Sequence, residues 1–179
     1  MQFQLIGYFP KTSPIPPAWL HPSHVREICS VSHCVALPPP DWIEHWRHND
    51  FFFFNTIADA ESIVPPGAVG YHIFAYRLLL ITFSEGRQTP IPAPILPLEP
   101  LPSSFVSLGF DAVSKYCTPY FECSPLSCNG ALAKYAVNEY CLFASPEEAV
   151  VAATLWSAKD VMEPGDYFVL EVLRQSTGA

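Results

Sequence analysis

The sequence predicts an α+β protein with a mainly antiparallel sheet, built from two similar units. Half of the 179 residues are hydrophobic and 15% are charged, against a usual charged share of about 25%. This composition favours buried strands over salt-bridged surface helices. In addition, the stretch Glu122–Gly130 (ECSPLSCNG) has a weaker upstream copy, Cys29–Cys34 (CSVSHC). Each unit therefore has the predicted order strand, cysteine turn, short buried strand, helix, strand.

The first predicted unit covers residues 1–89. Prolines follow its opening aromatic run, and they exclude regular helix and central strand because proline lacks an N–H and restricts φ. Asp41 with Glu44 three residues later predicts a capped helix. The predicted elements are a strand at Phe3–Phe9, the cysteine turn, a helix from Asp41 that buries Trp42 and Trp46, a buried strand at Phe51–Phe54, a brief helix from Thr56 and a central strand at Tyr71–Phe83.

A proline-rich connector, 90–102, leads to the second unit at 103–179. The prolines alternate with Ile, Ala and Leu, a pattern typical of extended polyproline-like chain. Ser145, Pro146 and Glu148 predict a strongly capped helix. The predicted elements are strands at Phe105–Val113, Tyr140–Phe143 and Tyr167–Leu173, with a helix to about Lys159 that buries Val150, Val151, Thr154 and Leu155.

The two units can be aligned in steps. The cysteine pairs match at an offset of 94, Asn49 matches Asn138 at 89, and Tyr71 matches Tyr167 at 96. The longer second helix accounts for the change between the last two offsets. An internal duplication explains this correspondence, and coincidence between two generic units is the alternative.

The charge balance excludes some partners. Nine basic and 17 acidic side chains give a net charge of −8, and no basic cluster is present, so a nucleic-acid ligand is not expected. An acidic chain is instead attracted to a basic protein partner. The N-terminus lacks the basic region of a signal peptide, and the longest apolar run is too short for a bilayer. We expect a cytosolic protein that is not membrane-bound, with reduced thiols.

Four cysteines are candidate metal ligands. Cys29, Cys34, Cys123 and Cys128 could form a tetrahedral zinc site if the two turns meet. Alternatively, the second turn is structural: Ser124 caps one helical turn that directs Leu126 inward. A third possibility is catalysis by Cys123 or Cys128, while His33 beside Cys34 is a weak candidate because adjacent side chains rarely form a dyad.

A second enzymatic possibility rests on strand residues. Arg77, Tyr71 and Glu171 could line a cleft on the sheet, whereas strand-borne Arg and Glu are more often surface positions. No nucleophile elbow, phosphate loop or dinucleotide fingerprint is present. The sequence therefore favours a binding protein without catalytic activity, and it predicts no cofactor other than the hypothetical zinc.

One resemblance points to a function. Gly109-Phe110-Asp111-Ala112-Val113, followed by Ser124–Asn129 (SPLSCN), resembles a strand and turn pattern of small bacterial immunity-type proteins, although the Cys-Asn order is reversed. It covers about the C-terminal third. Proteins of that type bind and block a cognate toxin, and they have no catalytic residues to transfer. The resemblance implies an immunity or antagonist protein, with a small enzyme and a zinc-stabilised module as alternatives. Oligomeric state and partner stay undetermined by the sequence.

Overall fold

The computed structural model describes residues 1–15, 24–44, 47–115, 120–121, 123–128, 134–158 and 164–176, without the Cys128 side chain. Its elements are β1 (Phe3–Thr12), a 3-10 turn (Trp42–Glu44), α1 (Ile57–Ser62), β2 (Tyr71–Ser84), β3 (Arg87–Pro90), β4 (Phe105–Lys115), α2 (Pro125–Cys128), α3 (Pro146–Ser157) and β5 (Asp166–Gln175).

A single antiparallel sheet has the strand order β1-β2-β5-β4, and β3 pairs with the end of β2. The predicted α+β class is confirmed. β2 of the first unit pairs with β5 of the second, so one sheet runs through both units. The connector packs against this body, since Ile91, Leu96 and Leu101 contact the core. In the part of the chain that the structure describes, no helix is long and apolar enough to cross a membrane.

The two faces of the sheet are covered differently, because successive strand residues point to opposite sides. α3 packs on one face, where Trp156 contacts Tyr167 with ring centroids 5.9 Å apart. The opposite face carries Lys11, Phe9 and Asp111, and irregular chain covers it. We call residues 24–37 the first arm and residues 120–121 and 123–128 the second arm. The first arm carries Cys29 and Cys34, and the second carries Cys123.

Each outer strand has a glycine bulge. The register shifts between Leu5 and Gly7 in β1, and between Ser107 and Gly109 in β4. Both glycines have φ of +142°, which L side chains rarely adopt. A Cβ atom on Gly109 would lie 2.6 Å from the Phe143 carbonyl oxygen, and one on Gly7 would lie 2.6 Å from Phe53 Cβ. The bulges let the following segments approach the strands closely.

Two predicted helix starts, at Thr56 and Ser145, are confirmed, and a third, at Asp41, is not. Thr56 caps α1, and Ser145 with Glu148 forms the predicted capping box of α3. The helix predicted from Asp41 is wrong for the described residues: a 3-10 turn forms over 42–44, residues 47 and 48 are not helical, and Asp41 has φ of +56°. Trp46 lies outside the described residues. The runs 51–54 and 140–143 form corners with isolated bridges, not strands.

The buried face of α3 also differs from the prediction. Ala149, Ala152, Ala153 and Trp156 are buried, whereas Val151 is 58% and Leu155 42% exposed. The small alanines let the helix approach the sheet, and Trp156 fills the remaining space. Of the other predicted residues, Val150 and Thr154 are half-buried and Val150 packs against the core, so the prediction is wrong for Val151 and Leu155.

Candidate functional site

Two asparagines build matching corners, one in each unit. Asn49 Nδ2 donates to the Ile6 carbonyl, and Asn49 Oδ1 accepts from Phe51 and Phe53 N–H. Asn138 makes the equivalent bonds in the second unit, as donor to Leu108 and as acceptor from Tyr140 and Leu142. One side chain thus satisfies backbone groups that a strand would have paired. Phe52 and Cys141, which occupy the same corner position, both have φ of +62°.

The correspondence does not extend to the cysteines. Thr12 N–H donates to the Leu37 carbonyl, and Ser114 N–H donates to the Cys123 carbonyl. Because Thr12 and Ser114 close their strands at matching register positions, Cys123 corresponds to Leu37 rather than to Cys29. The outer strands β1 and β4 and the two asparagine corners are arranged alike, whereas the repeat of whole units stays a prediction. Their origin by duplication stays a prediction.

The first corner carries a half-buried aromatic cluster, whereas the rings described at the second corner, Tyr135, Phe143 and Trp156, pack around α3. His33, Trp42, His48, Phe52 and Tyr120 are all half-buried, and we call them the aromatic platform. Ring centroids are 4.5 Å apart for Trp42 and His33, 5.3 Å for Trp42 and Tyr120, and 5.6 Å for Trp42 and His48. The rings meet mostly edge to face, an arrangement that stabilises aromatic pairs beyond simple burial. The platform rests on Phe9 of β1, whose ring meets that of Trp42 at 5.1 Å.

The chain beside the platform is apolar and acidic. Leu37 and Ile43 are 55% and 46% exposed. The exposed acidic residues next to them in sequence are Asp41, Glu44 and Asp50. The nearby basic side chain, Arg47, is bound by Asp59 at 2.8 Å. Aromatic side chains are enriched in the cores of protein interfaces, and polar residues at their rims.

His33 is a member of the platform whose pKa is clearly shifted. Burial, with the nearby Lys11 charge, lowers the pKa of His33 well below its usual 6.5. Its Nδ1 is buried and has no hydrogen-bond partner among the described residues. The ring is therefore neutral at pH 7 and acts as an aromatic contact rather than as a cation.

Two buried charges lie beneath the arms. Lys11 is 1% exposed, and its ammonium donates to the carbonyls of Ser30, Val31 and Ser32. Asp111 is fully buried and accepts from Ser30 Oγ at 2.9 Å, from Val31 N–H at 2.9 Å and from Ser124 Oγ at 2.6 Å. Burial nevertheless raises the pKa of Asp111, against the lowering effect of these hydrogen bonds.

Asp111 therefore joins the two arms. One carboxylate oxygen binds the first arm through Ser30 and Val31, and the other binds the second arm through Ser124. The hydroxyl of Ser124 donates to Asp111. The turn of α2 is closed by a backbone hydrogen bond, in which the Ser127 N–H donates to the Ser124 carbonyl. Leu126 points inward as predicted and is fully buried.

The two cysteine turns meet at more than one point, and Ser127 Oγ donates to Ser30 Oγ at 3.1 Å. Cys34 Sγ lies 3.8 Å from Cys123 Sγ. Cys29 is buried elsewhere, 3.9 Å from Arg174 Nη1, and desolvation raises its pKa to about 12, which disfavours the thiolate at pH 7. The Cys128 side chain lies outside the described part. Among the described residues, no group of three or more His, Cys, Asp or Glu side chains is placed to hold a metal. Zinc stays a hypothesis.

The strand residues of the predicted cleft are partly brought together. Arg77 and Glu171 are cross-strand partners, and their side chains form a 2.7 Å ion pair at the β2–β5 junction. Tyr71 lies on the same face but six residues along β2, about 20 Å away. A cleft formed by all three is therefore absent. The ion pair links the two units, and its side chains are only partly exposed.

A groove lies at the other end of this junction, on the face of the arms. A cavity of about 230 Å³ is lined by His72, Arg174 and Tyr140. Arg174 binds Glu27 of the first arm at 2.6 Å and lies over the Tyr140 ring at 5.6 Å. Burial and the Arg174 charge lower the pKa of His72. Glu27 neutralises the cation, so the groove presents little net charge to a ligand.

Sequence reasoning missed the residues that hold the arms. Lys11 closes a strand that begins with apolar residues, and Asp111 lies within the strand Phe105–Val113. An acidic residue inside a run predicted to be buried was a usable signal, because buried carboxylates require several donors. Trp42 packs against the core as predicted, and its ring also contacts the other members of the platform. No family model, no curated protein and no solved structure matches this chain.

Proposed function

We propose that the chain is a protein-binding module that contacts a basic partner protein through the aromatic platform. The observation that carries the proposal is the first corner itself. Phe52 adopts a left-handed backbone conformation that costs about 1–2 kcal/mol for a residue with a side chain, and it does so while half-exposed. Its matching residue, Cys141, is fully buried. A corner needed only for packing would bury its residue in both units.

The partner's charge follows from the surroundings of the platform. Asp41, Glu44 and Asp50 are exposed, and the whole chain carries −8. Rim charges of this kind mainly accelerate association with an oppositely charged surface. The resemblance to immunity-type proteins supports an antagonist that blocks a toxin or enzyme in the cytosol. Binding across rigid aromatic anchors requires no catalytic group.

Affinity capture with matched baits tests this proposal. The full chain, a Trp42→Ala, Phe52→Ala variant and a Val151→Ala, Leu155→Ala variant are each used to capture proteins from cells of the organism that carries the gene. The second pair is exposed on α3, on the opposite face of the sheet, and it controls for loss of apolar surface. We expect one basic protein with the parent and the α3 variant, and none with the platform variant.

Two further measurements separate specific binding from adhesion. We expect binding of the captured protein to weaken at high salt. The loss of affinity with salt should be smaller for a variant in which Asp41, Glu44 and Asp50 are replaced by the corresponding amides. Co-expression of the chain should relieve growth inhibition or enzymatic activity of that protein. Equal capture by the parent and the platform variant, or turnover of a small molecule in place of capture, would contradict the proposal.

A further inference from the structure

The contact between Cys34 and Cys123 joins chain segments that are distant in sequence. Their sulfurs are 3.8 Å apart although the residues are 89 positions apart. A disulfide has an S–S bond of about 2.05 Å, so each sulfur would need to move by about 0.9 Å. Rotation about the Cα–Cβ bonds can provide a shift of this size without moving either arm as a whole.

The same buried carboxylate holds both thiol-bearing segments. In the first arm, Cys34 N–H donates to Ser32 Oγ, Ser32 N–H donates to Ser30 Oγ, and Ser30 donates to Asp111. In the second arm, Ser124, the residue after Cys123, donates to the other oxygen of Asp111. The two sulfurs are therefore positioned by one hydrogen-bonded network rather than by chance contact of mobile loops.

The two thiols differ in their access to solvent. Cys34 is exposed, whereas Cys123 is buried, with 9% of its surface accessible to solvent. An oxidant in solution therefore reaches Cys34 first, and Cys123 is the neighbouring thiol that can resolve the oxidised form. The other described cysteines, Cys29 and Cys141, are 1% and 0% exposed and are shielded from the same oxidant.

We propose that Cys34 and Cys123 form a reversible, peroxide-induced disulfide that links the two arms. The Cys34 thiolate attacks hydrogen peroxide, so that an S–O bond forms, the O–O bond breaks, and hydroxide leaves and takes up a proton as water. Cys123 then attacks the Cys34 sulfur, an S–S bond forms, the S–O bond breaks, and the second oxygen leaves as water. Two thiols lose two electrons and two protons, and one peroxide is reduced to two waters.

The bond would have a structural consequence at the platform. His33 precedes Cys34, and Tyr120 lies three residues before Cys123, with the two rings 5.8 Å apart. Oxidation would therefore lock together the parts of the platform that come from different units. A cross-link that closes so long a loop restricts the unfolded chain and raises the melting temperature. The disulfide itself does not depend on the proposed binding function.

Peptide mapping after oxidation tests the pairing. The reduced full-length chain is treated with one equivalent of hydrogen peroxide, remaining thiols are alkylated, and the digest is analysed without reductant. We expect a peptide linked through Cys34 and Cys123, a loss of two alkylatable thiols and a higher melting temperature, all reversed by dithiothreitol. Cys34→Ala, at an exposed position that should fold normally, should give no linked peptide and keep Cys123 alkylatable.

Cys128→Ala is the matched control, because Cys128 is the other cysteine of the second turn. This variant should still form the Cys34–Cys123 linkage. A linkage of Cys123 to Cys128, a sulfinic acid at Cys34 without any linkage, or equal thiol loss in the parent and Cys34→Ala would each overturn the proposal.

Discussion

The corners at Asn49 and Asn138 have the same backbone but different uses. Both asparagines satisfy one strand carbonyl and two corner N–H groups, and both corners contain a non-glycine residue at φ of +62°. In the second unit this residue is Cys141, buried against the carbonyl of Leu126. In the first it is Phe52, which stays half-exposed beside Trp42. The difference teaches that one corner is an internal support, whereas the other leaves an aromatic side chain partly exposed, at the surface where we propose that a partner binds.

The largest expected effects test whether the two bulges are equivalent. Gly7→Ala and Gly109→Ala should each lower the free energy of unfolding by about 3 kcal/mol or more, from backbone strain and overpacking. Gly67→Ala is the control, since its φ is also positive but no atom lies within 4 Å of the added Cβ. It should cost only about 1–2 kcal/mol. Chemical denaturation measures all three, and a mild effect at one bulge would break the structural equivalence.

Removing the corner asparagines should separate stability from binding. Asn49→Ala and Asn138→Ala each leave one carbonyl and two N–H groups without their partner, and we expect losses of about 2–3 kcal/mol for both. Only Asn49→Ala should also weaken capture of the partner, because its corner positions Phe52. Equal loss of capture at temperatures where both variants are folded would contradict different roles for the corners.

Two histidines give the corners different pH responses. His33 lies by the first corner and His72 by the second, and both pKa values are lowered, mainly by burial. The unfolded chain binds a proton near pH 6.5 while folded His33 stays neutral, so stability falls as pH drops below about 6.5. One such group contributes at most about 1.4 kcal/mol per pH unit.

Denaturation between pH 5 and 8 checks this expectation. His33→Gln should flatten the pH dependence more than His72→Gln, because His72 is less buried and its charge is better screened. An identical slope in the parent and His33→Gln would contradict a neutral buried ring.

The smallest stability effect is expected at Phe52. Phe52→Gly relieves the left-handed strain while removing aromatic contacts, so the two contributions should cancel to within about 1 kcal/mol. Capture of the partner should nevertheless be lost, since the ring is part of the platform. Retained capture by this folded variant would remove Phe52 from the binding surface, and thermal melting of the same sample provides the control.

The sequence by itself determined the α+β class, the helix starts at Thr56 and Ser145 and most strand positions. These depend on local signals: capping side chains, proline at a first helical turn and apolar β-favouring runs. The similarity of the two corner sequences, 49–54 and 138–143, is also visible in the sequence, although the hydrophobic pattern there predicts strands. The backbone bonds of these corners go to an asparagine side chain, which a hydrophobic pattern does not reveal.

Only the tertiary structure decided where the two arms lie and which groups meet beneath them. Asp111, Lys11 and the sulfurs of Cys34 and Cys123 are brought together by packing of residues far apart in sequence, and no local spacing encodes that contact. Tertiary packing also decides which side of α3 is exposed. The helix lies close to the sheet on the side that carries the alanines and Trp156, and Val151 is left on the solvent side. Burial depends on the shape of the opposing surface as well as on hydrophobicity.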